Sequence, residues 1–210
     1  AIKSGPIAAT VELIDIELKG MGGHTSRPNE SVDLVWAQSQ LVNSLEQAKN
    51  LFSAGADKIT LNSFACGDPN LISQIALNFG EQAVTLSLQI KRYEGRLLVM
   101  THNGREDSNR DLKSWVSEAQ DRGIGEILIT SIDKEGTMEG FDLDLLREII
   151  SISKVPVICS GGICSSKDAA DCLKIGAQAI AIASAFHYGK ISPSTLRLNL
   201  LDSNFNLRKT

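Results

Sequence analysis

From about residue 43 onward the chain alternates two textures. Stretches with apolar residues three and four apart, the mark of an amphipathic helix, are interrupted by short runs rich in Val, Ile and Leu, the mark of a buried strand. Residues 44–54 predict a helix with Leu45, Ala48, Leu51 and Phe52 on one face. Gly55 closes it, because glycine accepts the left-handed backbone that ends helices. Residues 58–63 predict a strand, and Asp68-Pro69 opens a helix to Phe79, with a capping side chain followed by the residue suited to a first turn. The alternation of Val84, Leu86, Leu88 and Ile90 predicts a strand over 82–90, after which 91–104 reads as an excursion or hairpin around Glu94-Gly95. A helix over 108–122 stopped by Gly123, strands over 126–131, 156–160 and 179–184, and helices over 142–153 and 165–175 complete five strands and five helices.

Runs apolar on both faces imply a parallel sheet covered by helices, and a repeat of roughly 30 to 40 residues suits a barrel or a doubly wound sheet. The barrel is favoured. Nearly every strand ends in a small polar cluster: Asn62-Ser63, Gln89, Ser131 to Asp133, Ser160-Gly161-Gly162 and Ser184. Strand ends converging on one rim are how barrel enzymes build their sites. The expected fold class is therefore α/β, a partial (β/α)8 TIM barrel. Residues 1–42 carry no such repeat; 10–19 read as a strand, 20–28 as a glycine-rich loop and 31–42 as a helix. Two units are expected, a strand-loop-helix over 1–42 and a barrel portion over 43–210.

Charge narrows the partners. With 21 basic against 25 acidic side chains the formal net charge is -4, which gives no basic excess to hold nucleic acid. No apolar run reaches the roughly 18 residues of a membrane span, and the first residues lack the apolar core of a secretory signal, so a cytoplasmic setting is expected. Cys66, Cys159, Cys164 and Cys172 show no paired spacing for zinc or for a disulfide framework and read as reduced, mostly buried thiols. No metal and no cofactor is called for.

Two local signals carry chemistry. Adjacent glycines leave backbone N–H groups unshielded, so Ser160-Gly161-Gly162 before a helix, with Ala183-Ser184 about twenty residues later, form a candidate phosphate site. A tight βα turn is the alternative use of the same glycines. Asn62 and Ser63 are equally a second phosphate site or the closing of a turn. Asp133 and Glu135 offer carboxylates for acid–base work if burial raises their pKa, whereas Asp142 reads as a helix cap.

Together, residues 55–63, 125–142, 160–162 and 183–184 resemble the cyclase subunit family of imidazole glycerol phosphate synthase, a TIM-barrel family of histidine biosynthesis, over about residues 43–190. Thr101-His102-Asn103-Gly104 looks more like the branch found in surface-polysaccharide gene clusters. The resemblance implies that the chain spans about strands 4–8 of the barrel. It also implies that ammonia from a glutaminase partner reacts at the rim with a phosphoribosyl-formimino substrate carrying a phosphate at each end. By the same resemblance Ser160, Gly161, Gly162, Ala183 and Ser184 hold one phosphate, and Asn62 and Ser63 the other. Asp133 and Glu135 lie near the reacting centre, Lys58 and Glu126 gate ammonia on the opposite face, and Asp57 sits on the partner surface.

The chain departs from that family at the first three strands, which carry one of two essential carboxylates, and at Gln89, which occupies the place of the other. An amide has no ionisable proton, so reduced cyclase chemistry is expected, with a catalytically silent phosphate-binding or glutaminase-docking module as the alternative. Residues 19–28 with 31–37 are similar to the dimerisation domain of the M20 peptidases and amidohydrolases, in which the histidine matching His24 reaches a neighbouring active site. A fragment of such a metallo-amidohydrolase is the third reading, and the mixture suggests a truncated or chimeric chain. Five strands also leave unpaired backbone groups at two margins, so self-association, or pairing with residues 1–42, is expected.

Overall fold

The computed structural model describes residues 45–207, so the strand, loop and helix expected over 1–42 lie outside the described residues. Helix α1 (Leu45–Ser53) leads into β1 (Ile59–Leu61), a short helix α2 (Ser63–Gly67) and α3 (Asn70–Phe79). Strand β2 (Val84–Tyr93) turns into the antiparallel β3 (Arg96–Thr101) and β4 (Glu106–Asp107), and α4 (Leu112–Asp121) follows. Then come β5 (Glu126–Ser131), α5 (Leu143–Ile152), β6 (Val157–Ser160), α6 (Ser166–Ile175) and β7 (Ala179–Ala181). Helices α7 (Ser184–His187) and α8 (Pro193–Asp202) end the described chain.

The five expected strands are present and pair in parallel in the order β1, β2, β5, β6, β7, each crossover made by helix. β2 is longer than the alternation predicted because it serves two neighbours on one edge. Its residues 84–86 pair in parallel with β1, and its residues 89–93 pair antiparallel with β3. The hairpin expected around Glu94-Gly95 forms there, both residues holding positive φ (48° and 76°), the geometry that matches strand twist in a two-residue loop. The sheet does not close: among the described residues β1 and β7 are each paired on one side only. A partial barrel is the result.

Alternation sorts each strand onto two faces. Val84, Leu86, Leu88 and Ile90 of β2, Ile127 and Ile129 of β5 and Val157 and Cys159 of β6 are buried with Ile75 of α3, Trp115 and Ala119 of α4 and Leu146 and Ile149 of α5 in one core. The opposite face carries Thr85, Ser87 and Gln89, then Glu126, Leu128 and Thr130, then Ile158 and Ser160. It is the concave face of the barrel portion.

Several boundaries differ from expectation for local reasons. α3 starts at Asn70 with Pro69 as its cap residue rather than Asp68. The Asp68 carboxylate still accepts from Asn70 N–H at 3.1 Å, the two-residue spacing of a capping bond, from the position ahead of Pro69. α4 begins at Leu112 because Asp111 caps it through Ser114 N–H, leaving 108–110 as a loop. β7 ends at Ala181, and Ser184 starts α7 instead of closing a strand. Asp142 caps α5 by accepting from Leu145 N–H at 3.0 Å, as expected. Of the four cysteines, Cys159 and Cys172 are buried and hydrogen-bonded to each other, which with burial holds the Cys159 thiol far above its ordinary pKa. Cys66 and Cys164 are half-buried, and burial pushes Cys66 up to about 11. No helix among the described residues is long and apolar enough to cross a membrane.

Candidate functional site

Strand register draws the rim together. Gln89 is opposite Thr130, Thr130 opposite Ser160, and Ser160 opposite Ala181, so these four form one row across β2, β5, β6 and β7 on the concave face. Thr130 was not singled out from the sequence, although the alternation Glu126, Leu128, Thr130 was the signal that places it there.

At the β6–β7 end of the row lies a small open cleft lined by Glu135, Gly136, Met138, the 160–163 loop and residues 181–184. Five residues expected to share one phosphate, Ser160, Gly161, Gly162, Ala183 and Ser184, therefore meet in one place. Both glycines are obligatory. Gly161 holds φ +110°, and a Cβ there would stand 2.8 Å from the Ser131 carbonyl oxygen; Gly162 holds φ +78°, and a Cβ there would overlap the Gly140 carbonyl oxygen. The loop is locked from below, since Gly140 N–H donates to the Gly162 carbonyl at 2.9 Å. Among the described residues the N–H groups of Gly161 and Gly162 have no backbone acceptor, so they are free to meet an anion.

The helix behind the loop plays a different part from the one expected. Asp168 Oδ2 accepts from Ser165 N–H at 2.9 Å and Cys164 N–H at 3.2 Å, and Ser165 Oγ accepts from Asp168 N–H, a complete capping box. These bonds hold the Asp168 carboxyl below its ordinary pKa against the opposing effect of burial. With its own carboxylate in place, the start of α6 contributes little attraction for a second anion. The loop amides and the Ser160 and Ser184 hydroxyls carry the site instead.

The structure separates Asp133 from Glu135. Asp133 accepts from Arg92 N–H at 2.7 Å, while the Arg92 guanidinium grips Asp142 at 2.6 and 3.1 Å, so this trio ties the end of β2 to the loop after β5. Burial raises the Asp142 pKa, but the guanidinium and the Leu145 N–H outweigh it and leave the carboxyl below its ordinary range. Glu135 turns into the cleft, its Oε2 3.3 Å from where a Gly161 Cβ would stand. Desolvation there pushes its pKa up. The folded state therefore holds this proton more tightly than the unfolded chain, and both stability and anion affinity fall as pH rises from the ordinary carboxyl range through the raised value. Glu135→Gln is expected to flatten both dependences and to strengthen phosphate binding at neutral pH. Melting curves from about pH 4 to about pH 8, with and without ribose 5-phosphate, check it.

Asn62 and Ser63 lie across the sheet, three strand steps or about 14 Å from Ser160. Their side chains are committed to the fold. Asn62 Nδ2 donates to the carbonyls of Ser87 at 3.0 Å and Met100 at 3.1 Å, bridging the gap where β2 exchanges β1 for β3. Ser63 Oγ donates to Asn62 Oδ1 and accepts from His102 N–H.

At the opposite end of the concave face, Lys58 Nζ meets Glu126 Oε2 at 2.5 Å, and Thr85 Oγ1 donates to Glu126 Oε1 at 2.6 Å. The pair joins β1 to β5 across β2. Asp57 is exposed beside it. Among the described residues no group of three or more His, Cys, Asp or Glu is placed to hold a metal ion.

Comparison with known proteins identifies the family. Residues 42–192 match the model of a family described as histidine biosynthesis protein. The imidazole glycerol phosphate synthase subunit HisF of a Thermotoga strain is 36% identical over 179 residues, 85% of this chain and 71% of that protein. Its counterpart from Leifsonia xyli is 41% identical over 170 residues, 80% of this chain and 67% of that protein. The one from Streptococcus sanguinis is 42% identical over 153 residues, 72% and 61% respectively. By the extent of these matches and the parallel β/α architecture that accompanies them, the chain belongs to the histidine biosynthesis protein family, alongside the HisF subunits of imidazole glycerol phosphate synthase.

Proposed function

We propose that this chain is a cyclase-type subunit that binds a phosphorylated ribose derivative along its rim, with an intrinsic capacity for ring closure reduced by Gln89. The cleft at 160–163 and 181–184 carries the reading, because its bare amides and two hydroxyls suit a phosphate ester. The 62–63 end takes the far phosphate through its backbone, its side chains being already engaged. Ammonia from a glutaminase subunit enters at the Lys58–Glu126 end, with Asp57 on the docking surface. The open margins at β1 and β7 are met by a second copy of the chain.

A silent binding module is the second reading, favoured by one observation: Gln89 stands at the rim where the chemistry needs a carboxylate. General acid–base groups are worth about 10²–10⁴ in rate, so its amide leaves turnover at least that far below a competent cyclase. Thermal denaturation with ribose 5-phosphate, followed by an assay with ammonium and the phosphoribosyl-formimino substrate, separates the outcomes. Stabilisation by the phosphosugar with weak or no product is expected. Full-speed turnover overturns the reduced-chemistry reading, and absence of any stabilisation overturns the binding reading.

A further inference from the structure

Three of the residues that line the phosphate cleft, Glu135, Gly136 and Met138, come from the loop between β5 and α5. That loop does not hold its path unaided. Gly136, Met138 and Gly140 all take left-handed backbone, with φ of 75°, 58° and 86°, and Met138, which has a side chain, is strained there. Toward the cleft the loop is tied down by Gly140 N–H, which donates to the Gly162 carbonyl at 2.9 Å, and by Cys164 Sγ, which donates to the Met138 carbonyl at 3.0 Å. A single residue from another strand fastens both of its ends. Arg92 N–H donates to Asp133 Oδ2 at 2.7 Å, and its Nε and Nη2 donate to Asp142 Oδ2 and Oδ1 at 2.6 and 3.1 Å. Such a fork fixes orientation as well as distance. The same guanidinium faces Asp144 and Glu148 of α5.

We infer that Arg92 is a positioning residue for the cleft: it fastens the β5–α5 loop at both ends and so keeps Glu135, Gly136 and Met138 against the 160–163 loop. This inference rests on the proposed phosphate site at 160–163. Arg92 acts through the loop and not on the ligand. A largely exposed ion pair adds little to stability, whereas a wall displaced by even an ångström loses its fit to what it holds. Affinity is therefore the quantity that Arg92 governs.

Arg92→Met releases the Asp142 end and leaves the backbone bond to Asp133, and Asp142→Asn removes the anion while keeping a good cap for α5. Calorimetry of the intact chain with ribose 5-phosphate at about pH 5 is expected to show about tenfold weaker binding for each, with urea midpoints close to that of the unmodified chain. The double variant is expected to bind within about twofold of either single one, because the two side chains act as a unit. Arg147→Met, which breaks the exposed pair with Asp144 at 2.6 Å, is expected to leave affinity unchanged. The pH profile separates positioning from a merely structural role. Glu135 alone among the cleft-lining residues carries a titratable side chain, with the Lys134–Glu139 pair beside it in the loop and Asp133 held by Arg92. A released Glu135 no longer repels the anion once ionised, so the loss is expected to shrink to about threefold near pH 8. Comparing variant with unmodified chain at each pH cancels the titration of the phosphate itself. Unchanged affinity, additive losses in the double variant, or a loss that tracks stability and keeps one size at both pH values overturns the positioning role. If one variant does not fold, the other decides alone. Failure of the unmodified chain to bind ribose 5-phosphate overturns the phosphate site and the positioning role with it.

Discussion

Gly162→Ala is expected to abolish phosphosugar binding and to destabilise the fold by about 3 kcal/mol or more, the sum of an unfavourable left-handed backbone and a core-like clash. The added Cβ would overlap the Gly140 carbonyl oxygen and crowd Lys134 Cβ at 3.0 Å. Neither can yield cheaply. Gly140 is tied to the same loop by its own N–H, and it stands beside Asp168, whose carboxylate caps α6. Relief would have to come from swinging the 160–163 loop out of the cleft, which withdraws the amides from the ligand. Urea denaturation gives the stability term and calorimetry with ribose 5-phosphate the binding term. As a control, Gly136→Ala, with open space around the added Cβ, is expected to show only the modest cost of its positive φ.

Trp115→Ala is expected to cost about 3–5 kcal/mol, the usual penalty for deleting a large core aromatic. Trp115 is 1% exposed in the layer between α4 and the sheet, and the Arg110 guanidinium lies 4.2 Å above its ring. Arg110 in turn donates twice to the Cys66 carbonyl and pairs with Glu118, so one side chain holds α2 against α4. Trp115→Phe is expected to recover most of the loss. The indole N–H has no partner in the core, so its removal deletes a donor that was already unsatisfied. A phenylalanine variant as unstable as the alanine one would show that the indole N–H is bonded after all. Chemical denaturation of both variants measures the difference.

The parallel strands were legible because each carries a short run of Val, Ile and Leu on the face that packs against helices. Polar residues hid the rest of β2, since Lys91, Arg92 and Tyr93 continue the strand into the hairpin where no helix covers it. Helix α8 escaped notice because its apolar residues do not gather on one face, although Ser192 before Pro193 is a helix start. Within the site, Gly161 and Gly162 were readable from their adjacency. The capping box Ser165 to Asp168 was readable too, and would have shown that the α6 terminus already has its carboxylate. Glu135 entering the cleft while Asp133 turns to Arg92 was not readable, because two carboxylates one residue apart diverge only through the 3-10 turn at Ile132–Lys134 and contacts with distant strands. The same holds for Asn62, whose partners Ser87 and Met100 are 25 and 38 residues away.

The account turns on whether the loops after β6 and β7 bind phosphate through their own amides. Titrating isotopically labelled chain with ribose 5-phosphate and following the backbone amide signals tests this at the atoms concerned. Saturable shifts concentrated at Gly161, Gly162 and Ser184, weakening as pH rises through the Glu135 transition, are the predicted result. Shifts absent from those amides, or spread evenly over surface lysines, would contradict it.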